Sequence, residues 1–268
     1  HVTMEAREDY WGEPPAIKKV IYHVKAEDSQ RVNALTTGDI DCAVIPIKDF
    51  DYVQSLGNYN VTLQSSAAVE CAFFNLSPDG VLGTLEARLA VMYAIDRQAI
   101  LDMVYGGKIS APSWPVSDAT YGYEPKFANL DVYTHGYDVE KAKAYAEASG
   151  LVSKTIRITT NGEQNYNSIA EIIQNNLSEI GVDSTIINYD AGSYVGTLMD
   201  ASTFDIGILY VGSPSRYAVD MIGGYLSFLP LGWSGSDKDE LLALCREGVS
   251  TPTESGRSEI LEKMMKIW

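Results

Sequence analysis

Basic residues are scarce in this 268-residue chain: Lys and Arg number 20 against 36 Asp and Glu, a formal charge of −16. So acidic a balance excludes a nucleic-acid backbone as partner, because that recognition needs a basic stripe. It favours solubility instead. Cysteine is nearly absent. Cys42, Cys71 and Cys245 are odd in number and far apart, which fits neither a disulfide framework nor a CxxC metal site. Cys42, in the apolar run DCAVIP, reads as a small core residue. The three histidines show no HExxH or HxxxH spacing, so neither a metal nor another cofactor is expected. Long apolar runs are also lacking. The uncharged stretch MIGGYLSFLPLGWSGS at 221–236 is shorter than the roughly 20 residues of a spanning helix and contains Gly, Pro and Ser.

Enzyme signatures are missing too. The chain has no GxSxG elbow, no Walker loop and no GxGxxG turn, and GWSG at 232–235 lacks the elbow's spacing. Acidic pairs such as Glu8–Asp9 and Asp237–Asp239 are ordinary on this surface, and no glycosidase pair can be chosen from them. The chain is therefore expected not to be an enzyme. Its first residue is His, and its last, KMMKIW, stop within a helical pattern. Both ends read as internal to something longer.

What is present is α/β patterning, in a length that suits one large domain or two lobes. IKKVIYHV (17–24) alternates as a strand. Asp28 or Ser29 is placed to cap a helix over SQRVNALTT, and Gly38 to end it. DIDCAVIP then reads as a short buried strand stopped by Pro46, completing a βαβ unit. A helix near 48–56 and strands near 61–66 and 70–75 follow. The order returns later: strand TIRITT (155–160), an amphipathic helix over 164–180 closed by Gly181, strand VDSTIINY, a short helix SYVGTLMDAS, and a buried strand FDIGILYV (204–211). Between the two units, 107–137 is rich in Gly, Pro and Ser. Its aromatics Trp114, Tyr121, Tyr123 and Phe127 make it an ordered excursion rather than a flexible linker.

Residues 85–107, LEARLAVMYAIDRQAILDMVYGG, place Asp96 inside an apolar helical pattern. Asp is a poor mid-helix residue and a good N-cap, so Asp96 is expected to divide two helices by accepting from the N–H of Gln98 or Ala99.

This segment resembles the V-R-x-A…Y-A-I-D-R-x-x-I…YGG block of the family 5 extracellular solute-binding proteins, the oligopeptide, dipeptide and nickel-binding subunits of bacterial ABC importers. Other blocks match in order: EDYWGEPPAIKKVIYHVKAEDSQRVNALTTGDIDCAVIP, SWPVSDATYGYEPKF, HGYDVEKAKAYAEASGL, IAEIIQNNLSEIGVDSTI and FDIGILYVG. The resemblance covers essentially the whole chain. It implies a periplasmic-binding-protein-like α/β fold of type II, the Venus flytrap. Residues 1–70 would be part of lobe I with its βαβ unit, 71–268 would be lobe II, and the hinge would lie near 71–75. The family's N-terminal part and its final return to lobe I would lie outside the chain.

The resemblance further implies a substrate-binding component of an ABC transporter. It would capture an extracellular peptide or peptide-like solute in an interlobe cleft, close on it, and deliver it to membrane permease subunits. It implies a monomer, located in the periplasm or, in a Gram-positive cell, held at the surface as a lipoprotein. Specificity would sit in loops at the carboxyl ends of strands: Asn161 and Glu163, then Tyr189 and Ala191, then Tyr210, Gly212, Ser213 and Arg216. Phe73 and Asn75 would line the hinge. The chain departs from peptide-binding members where they carry G-W-x-x-D after the F-D strand. Here Tyr210 and Val211 stand for Gly-Trp, Pro214 for the Asp that pairs with a ligand ammonium, and Ala191 for a frequent Trp. That loss of a charge-assisted anchor and two aromatic walls puts free-amine peptides in question. A ligand-sensing receptor of the same fold and an α/β hydrolase remain as alternative readings.

Overall fold

The computed structural model describes residues 1–25, 27–64, 66–112, 114–130, 134–212, 217–228 and 232–267. The chain forms two compact units, His1–Leu63 and Gln64–Trp268.

In the first unit, strands β1 (Val2–Glu5) and β2 (Lys19–Tyr22) pair antiparallel with Val2 opposite Tyr22, and all eight positions are exposed. Helix α1 (Asp28–Thr36) starts after Glu27 without a side-chain cap, and Asp28 pairs with Arg31. The cap expected from Asp28 or Ser29 is therefore not formed. Gly38 does turn the chain with φ +80°. After a 3-10 turn at Ile47–Asp49 comes α2 (Phe50–Ser55). Val32, Leu35 and Val53 make a small core, with Ile40, Ile45 and Tyr59 packed on it. The expected strand DIDCAVIP is not one. Residues 39–46 run as irregular chain, with Cys42 exposed and Val44 84% exposed. The physical reason is pairing: among the described residues β2 has β1 as its neighbour, so an apolar run without a strand beside it has no ladder to join. Cys42 is thus not a core residue.

The second unit is built on one sheet. Strand β3 (Ala68–Phe74) follows a stretch, 61–64, that is not a strand as expected. Helices α3 (Leu85–Ala94) and α4 (Arg97–Tyr105) come next. Asp96 separates them as its sequence position requires: its Oδ1 accepts from Ala99 N at 3.0 Å, and Gly106 closes α4 with φ +60°. The excursion that follows is ordered, with Trp114 and Phe127 buried and their rings 5.1 Å apart. The remaining elements are α5 (Val139–Ala148), β4 (Thr155–Thr160), α6 (Gln164–Glu179), β5 (Asp183–Asn188), α7 (Ala191–Leu198), β6 (Ile206–Gly212), α8 (Ala218–Phe228), α9 (Ser236–Ser250) and α10 (Glu254–Ile267).

Sheet order is β3-β6-β4-β5, with β4 parallel to both its neighbours and β3 antiparallel to β6. Alternation decides which side chains meet which layer. Val69 and Phe73 of β3 and Leu209 of β6 join a core with Tyr194 and Leu198 of α7, Met221 and Ile222 of α8, Leu241 of α9 and Met264 of α10. Gly207 makes room on this face, since a Cβ there would stand 2.5 Å from Leu198 Cδ2 and force that side chain to shift. Helix α6 buries Tyr166, Ile169, Ile172, Ile173 and Leu177 along one stripe, the amphipathic pattern that its sequence shows.

At the amino end of the sheet, the carboxylate of Asp205, 1% exposed, receives Arg157 Nε and Nη2 at 2.9 Å each and Arg157 N at 2.8 Å. Removing the carboxylate takes away three acceptor contacts, including the one to the Arg157 backbone N–H, and leaves the guanidinium with Ser202 O and Phe204 O. Asp205→Ala is expected to cost about 2 kcal/mol or more, since it removes three hydrogen bonds to a buried carboxylate, while Asp96→Ala, which removes one cap, costs about 1 kcal/mol. Urea denaturation of both variants checks the ranking. Equal losses would show that the Asp205 pair is no stronger than a helix cap.

Candidate functional site

The parallel strands order the site. β4 leads through α6 to β5 on one side, and β5 leads through α7 to β6 on the other side of β4. The chain thus changes direction between β4 and β6, and in open α/β sheets ligands bind outside the carboxyl ends of strands at such a switch. The two strands separate there. Their ladder covers Ile158–Ile206 and Thr159–Gly207, and beyond it the hydroxyl of buried Tyr194 bridges Thr159 O at 2.6 Å and Ile208 O at 2.9 Å. Burial pushes the Tyr194 phenol up to about 12.

Most expected site residues gather at this end. Thr160 closes β4, and its Oγ1 lies 2.7 Å from Asn167 Oδ1 and 2.8 Å from Asn188 Oδ1 while accepting from Gly162 N at 3.1 Å. The next turn is folded on itself. Asn161 Oδ1 accepts from Glu163 N at 3.0 Å, and Asn161 Nδ2 donates to Glu163 Oε1 at 2.9 Å. Tyr189, half-buried, stacks on Tyr194 at 6.4 Å between centroids. Asp190 caps α7 through Gly192 N at 2.9 Å, which leaves Ala191 exposed at the first turn. Tyr210 is 59% exposed near the end of β6, and Gly212 faces Ala68 across the β3–β6 ladder. Ser213 and Arg216 lie outside the described residues, as does Pro214.

Phe73 and Asn75 are not brought to this group. Because β3 runs antiparallel, Phe73 pairs with Gly207 at the opposite end of the sheet. Phe73 is packed in the core. Asn75 is buried and spent internally: its Nδ2 donates to Ala201 O and, at 2.9 Å, to Phe204 O, while its Oδ1 accepts from Ser77 N at 3.0 Å.

Three residues at the carboxyl end were not foreseen from sequence. Glu70 of β3 sits opposite Tyr210 and accepts from the hydroxyl of buried Tyr105 at the end of α4. Desolvation raises the Glu70 carboxyl above the usual range, the Tyr105 hydrogen bond opposes this, and Glu163 adds to the rise. The phenols of Tyr105 and Tyr166 are raised as well, chiefly by burial. The signal available was a single Glu in the apolar strand AVECAFF. Among the described residues, no group of three or more His, Cys, Asp or Glu could hold a metal ion, and no helix is long and apolar enough to cross a membrane.

Residues 1–227 match the model of the bacterial extracellular solute-binding proteins, family 5. The chain is 30% identical over 208 residues to the nickel-binding periplasmic protein of Escherichia coli K12, covering 69% of this chain and 38% of that one. It is 24% identical over 207 residues to the dipeptide-binding protein of the same strain, covering 74% and 37%. Among solved structures it resembles the ABC transporter substrate-binding protein CtaP of Listeria monocytogenes, with TM-score 0.78, 25% identity, and coverage of 98% of this chain and 54% of that one. The fold is also that of the oligopeptide-binding protein AppA of Bacillus subtilis, solved with a nonapeptide, at TM-score 0.78, 20% identity, and 98% and 55% coverage. The chain thus spans less than two fifths of the length of these curated relatives and about half of the solved chains.

Raised Glu70 titration makes a testable pH signature. The folded state holds this proton to higher pH than the unfolded chain, so the charged carboxylate disfavours folding once pH rises through the raised value. Glu70→Gln is expected to raise Tm only slightly at neutral pH, because Glu70 is exposed on β3 and water screens its charge, with the gain vanishing below the ordinary glutamate pKa of about 4.3. A Tm gain equal at both pH values would place its origin elsewhere than in ionisation.

Proposed function

We propose, from the premise that this chain belongs to the bacterial extracellular solute-binding proteins of family 5, that it is part of the substrate-binding component of an ABC importer. In this reading the whole protein works outside the cytoplasm, captures a peptide or peptide-like solute, and hands it unchanged to permease subunits. The observation that carries the reading is the gathering of Asn161, Glu163, Tyr189 and exposed Tyr210 at the carboxyl end of one sheet, where this class of fold receives its ligands. The side chains suit recognition. Tyr presents a flat apolar face with one hydroxyl, and the Asn161–Glu163 turn offers a preformed polar edge.

Relatives are named for nickel and for dipeptides, and one is solved with a nonapeptide. The range favours a shared mode of capture with variable contacts. Pro214, where peptide binders place an ammonium-pairing Asp, supports an anchor other than that carboxylate. Ala191 removes a wall, so Tyr210 carries more of the contact.

A screen of the full-length protein against peptides, amino acids and metal chelates tests this. One ligand class is expected to raise Tm, by about 2.7 kcal/mol of stabilisation at a hundredfold excess over Kd, and to be recovered intact by mass spectrometry. Tyr210→Ala should weaken that ligand by about tenfold. Appearance of a product from the bound ligand would favour the hydrolase reading and end this one.

A further inference from the structure

A separate cleft of about 410 Å³ opens in the second unit between the turn at Tyr121–Glu124, the start of α8 and the start of α10. None of the described residues of the expected site lines it. Its floor is apolar, from Ala218, Val219 and Leu261, and its wall is aromatic. Tyr121 is 72% exposed, and its ring centroid lies 6.2 Å from that of Tyr217 at 56°. The two segments are fastened together, since Ala218 N donates to Tyr121 O at 2.9 Å, so the wall is built rather than incidental.

One cation faces this wall. The Arg257 guanidinium lies 4.4 Å from the Tyr217 ring centroid, and its Nη1 donates to Thr251 O at 2.7 Å. Those two contacts hold the group in place. Among the described residues, Nε and Nη2 carry no hydrogen-bond partner, and a guanidinium fork fixed in this way matches a carboxylate. The acidic groups in the cleft restrict the anion. Glu124 is occupied by Lys126 Nζ at 2.7 Å and by the Ser258 hydroxyl, whereas Glu254 also lines the space. A dianion such as phosphate would meet repulsion there, and a single carboxylate much less.

We propose that this cleft binds the α-carboxylate of an amino-acid residue whose apolar or aromatic side chain lies against Tyr121 and Tyr217. Arg257 takes the carboxylate, and the tyrosine faces take the side chain. The volume, at the low end for ligand pockets, suits one residue rather than a long peptide. Two sources present this chemistry: the C-terminal residue of a short peptide, and a free amino acid, whose ammonium would meet Glu254. The inference rests on the solute-capture reading and names the ligand end that this part of the chain would grip.

Calorimetry on the full-length protein tests it with Ala-Phe, amidated Ala-Phe and L-phenylalanine. Binding of Ala-Phe, lost on amidation, assigns the peptide source. Binding of L-phenylalanine that Glu254→Gln weakens assigns the free amino acid. In either case Arg257→Gln is expected to weaken the bound ligand about ten- to a hundredfold, and Tyr121→Ala, at an exposed ring that costs little in folding, about three- to tenfold. Unchanged Tm in each variant keeps the comparison valid, and Arg257→Lys should recover only part of the loss. Binding of amidated Ala-Phe equal to the free acid, with Arg257→Gln within twofold of wild type, overturns the cleft and leaves solute capture standing. No binding of any of the three probes also overturns it, and the ligand screen then decides separately whether the protein captures a different solute.

Discussion

The second unit depends on how β4 and β6 are held together. They are the parallel strands on either side of the switch in chain direction, and their own ladder is short. Asp205 compensates at the amino end. It sits one residue before β6 and receives three donors from Arg157 of β4. Asn75, one residue after β3, donates to Phe204 O, so all three strands are tied at one level. This fixes register where a one-residue slip would exchange the two faces of a strand. Phe204, Gly207 and Leu209 must meet α7 and α8, and slipping would turn them away. A buried ion pair is weak evidence of net stability but well suited to specifying one arrangement.

Fastening one end of the strands frees the other. Past the short ladder, Tyr194 supplies a hydroxyl in place of further backbone pairing. The strands can then diverge without leaving Thr159 O or Ile208 O unsatisfied. Beyond the ladder the 161–163 turn follows β4, and Tyr210 stays 59% exposed near the end of β6. The core residue Tyr194 therefore replaces backbone pairing at this end of the sheet.

Much of this was legible in the sequence, for reasons specific to each element. Asp96 could be read as a cap because Asp inside an apolar helical pattern has few other uses, and the Ala99 contact agrees. Strands β4 to β6 and helix α6 were written in clear periods closed by Gly181. DIDCAVIP misled because an apolar run declares burial without declaring a partner strand, and pairing is not local information. Phe73 and Asn75, expected to line a hinge near 71–75, lie by antiparallel pairing at the end of the sheet away from Tyr210, a placement that pairing alone decides. Glu70 was invisible for the converse reason. Its neighbours Tyr105, Glu163 and Tyr166 come from the end of α4 and the start of α6, and no spacing within one strand announces them.

The titration behaviour at this end sets which groups can donate a hydrogen bond. Tyr105, Tyr166 and Tyr194 are all pushed up, mainly by burial, and stay neutral donors. The buried Cys245 thiol is likewise pushed up to about 12, far from the thiolate that reacts. Glu70 is the group displaced toward neutrality, yet its recorded hydrogen bond is from Tyr105, a phenol that burial has made harder to ionise. A carboxyl held in that way can accept or donate a hydrogen bond according to what approaches it.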